Sequence, residues 1–243
     1  MLVRTWNVFH GNTSPPERRA YLEEMVRLVC SDRPHIVGLQ ELPVWSLDRL
    51  AAWSSMTVIA DVAARPLFRP LPWAAEIGRV LTELHHGLFR SAFTGQANAV
   101  LLAPGLRVVE HRCSLLSPPR SERRVCQALR IAHEAGRILL GNLHVTGSRD
   151  KRIPAEQVRS ATAFLTALRA VGEPLVLAGD FNLTASELGL AGELDSVGAT
   201  PRGVDHVLVD GITAGPSFQW PTKRRKIDGR VLSDHAPVER ELS

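Results

Sequence analysis

The sequence has few of the features that mark membrane, secreted or disulfide-stabilised proteins. Its 243 residues contain no apolar run near the ~20 residues that a membrane helix needs. The first residues lack the charged and apolar zones of a signal peptide. The three cysteines are odd in number and form no C-x-x-C pair, so we expect reduced, buried thiols rather than disulfides. These absences predict a cytoplasmic protein.

The composition is typical of a folded globular protein. Hydrophobic residues make up 44% of the chain and charged residues 22%, which excludes intrinsic disorder. The sequence shows no internal repeat with a period of roughly 20 to 50 residues and no low-complexity linker. We therefore predict one domain over residues 1–243.

Charge is distributed unevenly along the chain, although the formal net charge is only +4 at pH 7. Residues 107–130 hold six arginines and two glutamates, and residues 223–230 hold five basic residues and one aspartate. Each segment therefore has a net charge of +4, and the remainder of the chain has −4. Because phosphate attraction is screened within ~10 Å in ordinary salt, these local segments matter more to an anionic partner than the total.

Short apolar runs alternate with helical patterns along the chain. Apolar residues at helical spacing predict helices over residues 18–30, 44–53, 74–89 and 154–171. Runs rich in β-branched residues predict strands over 2–8, 36–39, 97–102, 106–113, 125–133, 137–145, 175–178, 204–209 and 236–239. This pattern favours an α/β fold with two packed sheets and helices outside.

Several polar side chains lie where the predicted strands end. Catalytic groups concentrate at such positions, because a rigid scaffold holds them while a loop keeps them accessible. Carboxylate and amide oxygens are also the ligands that Mg²⁺ prefers. The pattern predicts metal-assisted phosphate chemistry. The residues are Asn7, Glu41, His144, Asp180, Asn182, Asp205, Asp234 and His235.

Six short motifs, in a fixed order, carry a family resemblance. They are T-W-N at 5–7, L-Q-E at 39–41, N-L-H at 142–144, G-D-F-N at 179–182, V-D-H at 204–206 and S-D-H-A-P-V at 233–238. Together they resemble the endonuclease/exonuclease/phosphatase superfamily, which includes deoxyribonuclease I-like nucleases, neutral sphingomyelinases and inositol polyphosphate 5-phosphatases. The resemblance spans residues 2–238. It implies a four-layer α/β/β/α sandwich of two mixed β-sheets flanked by helices.

The resemblance also implies a metal-dependent phosphoesterase that uses Mg²⁺, with Mn²⁺ as an alternative. The metal residues it implies are Glu41, Asn7 and Asp234. It implies five catalytic residues. Asp180 would position or deprotonate the attacking water, and Asn182 would hold a phosphate oxygen. His235 would contact the scissile phosphate with its ring fixed by Asp205, and His144 would face the phosphate from the other side. The number of metal ions and the identity of the formal base stay open.

One position departs from the nuclease pattern. Deoxyribonuclease I-like enzymes place a glutamate before the strand that begins here at Gln96, where it supports the histidine matching His144. The nearest polar residue in this chain is Asn98, which we assign to substrate binding. Either Asn98 replaces that glutamate or the role of His144 is weakened.

The segment 216–226 combines aromatic and basic residues close to Asp234 and His235 in sequence. We predict that Trp220 stacks on bases and that Arg224 and Arg225 hold phosphates, as in proteins that bind single strands or DNA ends.

The first hypothesis is therefore a nuclease or DNA phosphodiesterase. A lipid or small phosphate-ester hydrolase would use the same chemistry. A binding module with an inactive site is disfavoured because the implied catalytic set is complete, and no protein partner is predicted.

Overall fold

The computed structural model describes residues 1–17, 19–65, 94–118, 121–191 and 199–243. The helix predicted over 74–89 lies outside these residues. No helix among the described residues is long and apolar enough to span a membrane. In chain order the elements are β1 (Leu2–Asn7), β2 (Thr13–Ser14), α1 (Leu22–Cys30), β3 (Ile36–Leu42), α2 (Leu50–Ser54), β4 (Thr57–Ala64), β5 (Gln96–Leu102), β6 (Arg107–Leu115), β7 (Val125–His133), β8 (Gly136–His144), α3 (Arg152–Leu168), β9 (Leu175–Asp180), β10 (Asp205–Asp210), β11 (Phe218–Gln219), β12 (Lys226–Ile227), β13 (Arg230–Leu232) and β14 (Val238–Glu241).

Two mixed sheets carry most of the strands. One has the order β11-β14-β1-β3-β5-β4 and the other β10-β9-β8-β7-β6. The pairs β1/β3 and β8/β9 are parallel, and the other neighbours within these two sheets are antiparallel. A small sheet has the order β12-β13-β2. Because β1 pairs with β14, both ends of the described chain contribute to one sheet.

Three hydrophobic clusters fill the spaces between the layers. Side chains of both sheets pack between them, including Val3, Val100, Leu129 and Val176. Helices α1 and α2 cover the outer face of the first sheet, with Met25 and Leu50 against Trp6 and Leu39. Helix α3 covers the second sheet, with Val158 and Leu165 against Leu143 and Leu177. The order is helix, sheet, sheet, helix, so the predicted four-layer sandwich is confirmed.

Three local predictions differ from the structure. The helix predicted over 44–53 is a 3₁₀ helix over Val44–Arg49 followed by the short α2. Strand β4 was not predicted; it is an edge strand with mostly half-buried side chains, so its apolar residues show no clear alternation. All three cysteines are free, but Cys113 is exposed on the edge strand β6, so its predicted burial is wrong.

Candidate active site

Strand register brings the predicted catalytic residues together at one end of the sandwich. In the parallel pair β8/β9, His144 is the register partner of Asp180, because the two strands end at the same level. Strand β10 begins antiparallel to the end of β9, which makes Asp205 the other partner of Asp180. From the facing sheet, Asn7 at the end of β1 donates its Nδ2–H to Asp180 Oδ2 at 3.0 Å. Three strands thus place polar side chains around the carboxylate at the end of β9.

Asp180 lies at the centre of this arrangement and is only 1% exposed. Its Oδ1 accepts a hydrogen bond from the backbone N–H of Asn182 at 3.0 Å. Its Oδ2 lies 3.6 Å from His144 Nε2 and 3.8 Å from His235 Nε2. Burial, together with the Asp205 carboxylate, raises the pKa of Asp180 from 3.8 to about 6. A carboxyl group that titrates near neutrality suits the role of a general base.

His235 forms a close pair with the buried carboxylate of Asp205. Its Nδ1 lies 2.8 Å from Asp205 Oδ2, and its Nε2 faces Asp180. Burial opposes the charge of His235, but the Asp205 carboxylate and its hydrogen bond raise the pKa of the imidazole from 6.5 to about 10. Burial also raises the pKa of Asp205, while the imidazolium opposes that rise. The pair therefore presents a charged imidazolium to Asp180 at neutral pH.

Glu41 projects from an irregularity in β3, where the register with β5 shifts between Leu39 and Leu42. Its φ is 56°, a left-handed conformation that is uncommon for a residue other than glycine. A β-bulge of this kind redirects a side chain. The carboxylate lies 3.5 Å from His144 Nε2 and 3.6 Å from His10 Nε2. Burial raises the pKa of Glu41, and the Asn7 amide opposes that rise.

Backbone strain is concentrated around these side chains. Left-handed φ angles cost free energy in residues with a Cβ and are commonly kept where function requires them. Among five such residues, Glu41 and Asn182 are predicted site residues, Ser233 directly precedes Asp234, and Phe9 and His10 follow Asn7 within three residues. The five residues are Phe9 (φ 48°), His10 (54°), Glu41 (56°), Asn182 (48°) and Ser233 (58°).

The sequence profile of the Endonuclease/Exonuclease/phosphatase family matches residues 5–235. The chain belongs to this family. Its members are phosphoesterase hydrolases that depend on divalent metal ions, so the protein is an enzyme of this class. The predicted family is confirmed. A comparison with curated proteins finds no match.

Solved structures share this family fold over the whole chain. A functionally unknown conserved protein of Enterococcus faecalis V583 is 16% identical, with a TM-score of 0.73 and coverage of 100% of this chain and 99% of the other. A mannosyl-6-phosphatase of Bacteroides thetaiotaomicron is 16% identical, with a TM-score of 0.70 and coverage of 100% and 99%. TDP2 of C. elegans is 15% identical, with a TM-score of 0.67 and coverage of 99% and 74%. At sequence identities of 15–16%, this structural similarity establishes a shared fold and no more.

Two further predicted residues, Asn182 and Asp234, lie at the edge of the group around Asp180. Asn182 follows Asp180 and donates one amide N–H to the Val145 carbonyl at 3.0 Å. Since an amide nitrogen carries two hydrogens, its second N–H is available to an oxyanion. Asp234 is exposed and lies beside His235, with its Oδ1 3.4 Å from Ser233 Oγ. Both residues border the central group rather than lie within it.

The metal residues that the family resemblance implies carry suitable donor atoms. Glu41, Asn7 and Asp234 offer carboxylate and amide oxygens, the hard donors that Mg²⁺ prefers. Burial raises the pKa of Glu41, Asp180 and Asp205, which means that negative charge is concentrated in a poorly solvated region. A divalent cation would relieve that concentration, so these residues fit such an ion. Among the described residues, Asp180, Asp205 and His235 form a further group whose potential ligand atoms all lie within 4.8 Å.

Residue Asn98 does not take the place of the missing family glutamate. Its Nδ2 lies 3.4 Å from the Val125 carbonyl, within the buried sheet. The side chains that contact His144 Nδ1 are instead Arg124 at 2.9 Å and Gln96 at 3.4 Å. Arg124 lies in the basic segment noted in the sequence, but a contact with His144 was not predicted. His10, close to Glu41, was also missed, because a single histidine carries no spacing signal.

The aromatic and basic residues of the 216–226 segment hold that segment against the protein. Trp220 is 2% exposed, and its Nε1–H donates to Glu239 Oε2 at 2.9 Å. Arg224 stacks on the Trp220 ring at 3.6 Å and pairs with Asp32 and Glu239. These contacts leave the predicted substrate roles of Trp220 and Arg224 without structural support, because the groups are already engaged.

Arg225 organises the loop that carries His235. Its Nη1 donates to the carbonyls of Leu232 at 2.8 Å, Ser233 at 2.7 Å and His235 at 3.2 Å. These hydrogen bonds fix the backbone on both sides of Asp234. The contacts give Arg225 a loop-fixing position rather than the phosphate-binding one predicted from the sequence.

Replacing Trp220 tests this reassignment. Trp220→Ala is expected to lower the free energy of unfolding by about 3–5 kcal/mol, because it leaves a cavity beneath two arginines. Urea unfolding of the purified variant measures the change. Phe218→Ala is the matched control, since Phe218 is 50% exposed two residues away. A Trp220 variant as stable as the Phe218 variant would contradict the packing role.

A pocket of about 480 Å³ opens beside His235. Its walls come from 203–205, from 219–222 and 225, and from 234–236. Gly203 has φ +93°, and a Cβ there would lie 2.9 Å from Gln219 Nε2, so a larger residue would crowd the wall. Arg225 is the arginine among the lining residues, and its guanidinium is held by backbone carbonyls. The pocket thus adjoins the His235–Asp205 pair, and its wall adds the Asp234 carboxylate and the uncharged polar side chains of Gln219 and Thr222.

Proposed function

We propose that the enzyme hydrolyses phosphate esters by attack of water on phosphorus, with help from a divalent metal ion. The observation that carries this proposal is the position of Asp180, a carboxyl group with a pKa of about 6 that faces both His144 and His235. A base that is ionised at neutral pH therefore lies beside an imidazolium. Phosphate-ester hydrolysis needs this combination, since water must lose a proton while negative charge grows on the phosphate oxygens.

In this mechanism each side chain acts where the structure holds it. Asp180 accepts a proton from water as the new P–O bond forms, and the P–O bond to the alcohol breaks. The leaving oxygen takes up a proton from bulk water, and His235 stabilises the phosphate charge through Nε2, with Asp205 keeping the ring charged. Asn182 donates to a phosphate oxygen. Glu41, Asn7 and Asp234 would hold the metal ion, which supplies positive charge near the phosphate when bound.

The pocket favours a compact, polar phosphate ester as substrate. It lies beside His235 and is lined by groups such as Gln219 and Thr222 that suit hydroxyls rather than a chain of phosphates. One of the similar structures is named a mannosyl-6-phosphatase, and a sugar phosphate is a compact, polar phosphate ester, which supports this class of substrate. A nucleic acid, our first hypothesis from sequence, is the second candidate. It is favoured by the exposure of Phe218, Lys223 and Lys226 along the same segment.

A substrate panel distinguishes these candidates. The wild type is incubated with a hexose phosphate, small chromogenic monoesters and diesters, a lipid phosphodiester, and supercoiled, linear and abasic DNA. Each reaction contains Mg²⁺ or Mn²⁺, with a parallel reaction in chelator. Faster hydrolysis of the small esters supports the first candidate. Cleavage of DNA with small esters left intact supports the second, and hydrolysis of none of them contradicts the proposal.

Metal dependence gives a separate prediction for Glu41. Mg²⁺ or Mn²⁺ is expected to raise the thermal unfolding midpoint of the wild type, because an ion that binds only the folded state stabilises it. Glu41→Gln should weaken that effect and reduce the affinity measured by calorimetry by at least about 10-fold. Glu134→Gln, at an exposed turn, is the control. An equal midpoint shift in all three proteins would remove Glu41 from the metal site.

A further inference from the structure

His144 has hydrogen-bond donors on one side of its ring and carboxylates on the other. Arg124 Nη1 lies 2.9 Å from His144 Nδ1. The same Nη1 donates to Gln96 Oε1 at 3.1 Å, which turns the Gln96 amide nitrogen toward His144 at 3.4 Å. A guanidinium has five N–H donors and no acceptor. His144 Nδ1 must therefore present its lone pair, and the ring proton lies on Nε2.

Arg124 is held firmly in this position. Its side chain is 8% exposed, and its Nη2 donates to Glu122 Oε2 at 2.8 Å. Its backbone N–H donates to Ser117 Oγ at 2.7 Å. The guanidinium has contacts on both of its terminal nitrogens, so it cannot rotate away from His144 without breaking them.

The protonated Nε2 faces the catalytic groups. It lies 3.5 Å from Glu41 Oε1 and 3.6 Å from Asp180 Oδ2. Because Nδ1 presents its lone pair to the Arg124 guanidinium, the ring carries a single proton and is neutral. It can donate one hydrogen bond, through Nε2, toward the space between these carboxylates.

The two histidines that face Asp180 thus have opposite partners. His235 has a carboxylate behind its Nδ1, which favours the charged ring, whereas His144 has a guanidinium there, which excludes it. We propose that Arg124 is a positioning residue that fixes His144 as a neutral donor, through Nε2, to the phosphate or the attacking water. This inference rests on the proposed hydrolysis for the identity of the acceptor.

Nitrogen-15 NMR of the histidine side chains tests the proposal without relying on activity. In the wild type at neutral pH, His144, assigned with His144→Gln, is expected to be protonated at Nε2 with a lone pair at Nδ1. Arg124→Met should abolish this single tautomer. A wild-type His144 that is protonated at Nδ1, or at both nitrogens, would overturn the proposal whatever the enzyme hydrolyses. Because this readout uses the wild-type protein, it tests the proposal even if the Arg124 variant fails to fold.

Kinetics on the hydrolysed substrate provide the second readout. Arg124→Met should lower kcat by about 10–100-fold with little change in KM, and Arg124→Lys should recover part of the loss. In a His144→Gln background, Arg124→Met should cause no further loss, because it acts through His144. Arg123→Met is the control, since Arg123 is exposed and bonds the Ala63 carbonyl. Equal losses in both backgrounds would overturn the positioning role.

Discussion

Asp180→Asn is expected to lower kcat by about 10²–10⁴-fold, the range typical of losing a general base. The amide keeps the size of the carboxyl group and can still accept the hydrogen bond that Asn182 donates to Oδ1. It cannot take a proton from water. Steady-state kinetics with saturating metal measure the loss. Asp228→Asn, at an exposed turn, should leave kcat unchanged.

The stability of the Asp180 variant separates a catalytic loss from a folding loss. The folded-state pKa of Asp180 is raised from 3.8 to about 6, so ionising this group in the folded protein costs stability as the pH rises through that window. Asp180→Asn removes that cost but places an amide N–H group opposite the Asn7 donor in place of Oδ2, so the variant should remain folded at pH 7 without a gain in stability. Urea unfolding at pH 4 and pH 7 measures it. An active Asp180 variant, or an inactive and unfolded one, would contradict the assignment.

Asp205→Asn is also expected to lower kcat by about 10²–10⁴-fold, the second large effect that we predict. Burial lowers the pKa of His235, and the Asp205 carboxylate is the largest influence that raises it to about 10. Without that carboxylate, the His235 pKa falls, because burial is then opposed only by Asp180 and Asp234. The variant therefore weakens the charge that faces the phosphate and loses the hydrogen bond that orients the ring.

The pH profile of kcat distinguishes this mechanism from a general loss of structure. Wild-type activity should fall as the pH drops through about 6, where Asp180 takes up a proton, and should persist toward pH 10, where His235 loses its charge. In Asp205→Asn the alkaline limit should move to lower pH, because His235 deprotonates earlier. A variant with the wild-type profile and only a lower amplitude would contradict the role given to Asp205.

Much of the central site could be predicted because it depends on short motifs at strand ends. Asp180 and His144 end neighbouring parallel strands, and Asp205 begins the next one, so strand order alone brings them together. The left-handed backbone at Glu41 could not be predicted in the same way. It depends on a register irregularity between β3 and β5, which is a tertiary feature.

The segment around Trp220 shows why some residue roles could not be predicted from the sequence. An aromatic residue followed by arginines is equally compatible with base stacking and with internal cation–π packing. The carboxylates that engage Arg224 decide between them, and they lie 15 residues away at Glu239 and 192 residues away at Asp32. Contacts at such separations leave no local pattern. The same holds for Arg124, just before β7, and His144, 20 residues further along at the end of β8.

The central claim is that water attacks phosphorus at the site built around Asp180. Hydrolysis of the preferred ester in water enriched in the heavy oxygen isotope, followed by mass spectrometry of both products, tests it most directly. The account predicts one labelled oxygen in the phosphate product, none in the alcohol, and a matching loss of labelled product with Asp180→Asn or with chelator. Label in the alcohol, or undiminished labelled phosphate from the Asp180 variant, would contradict it.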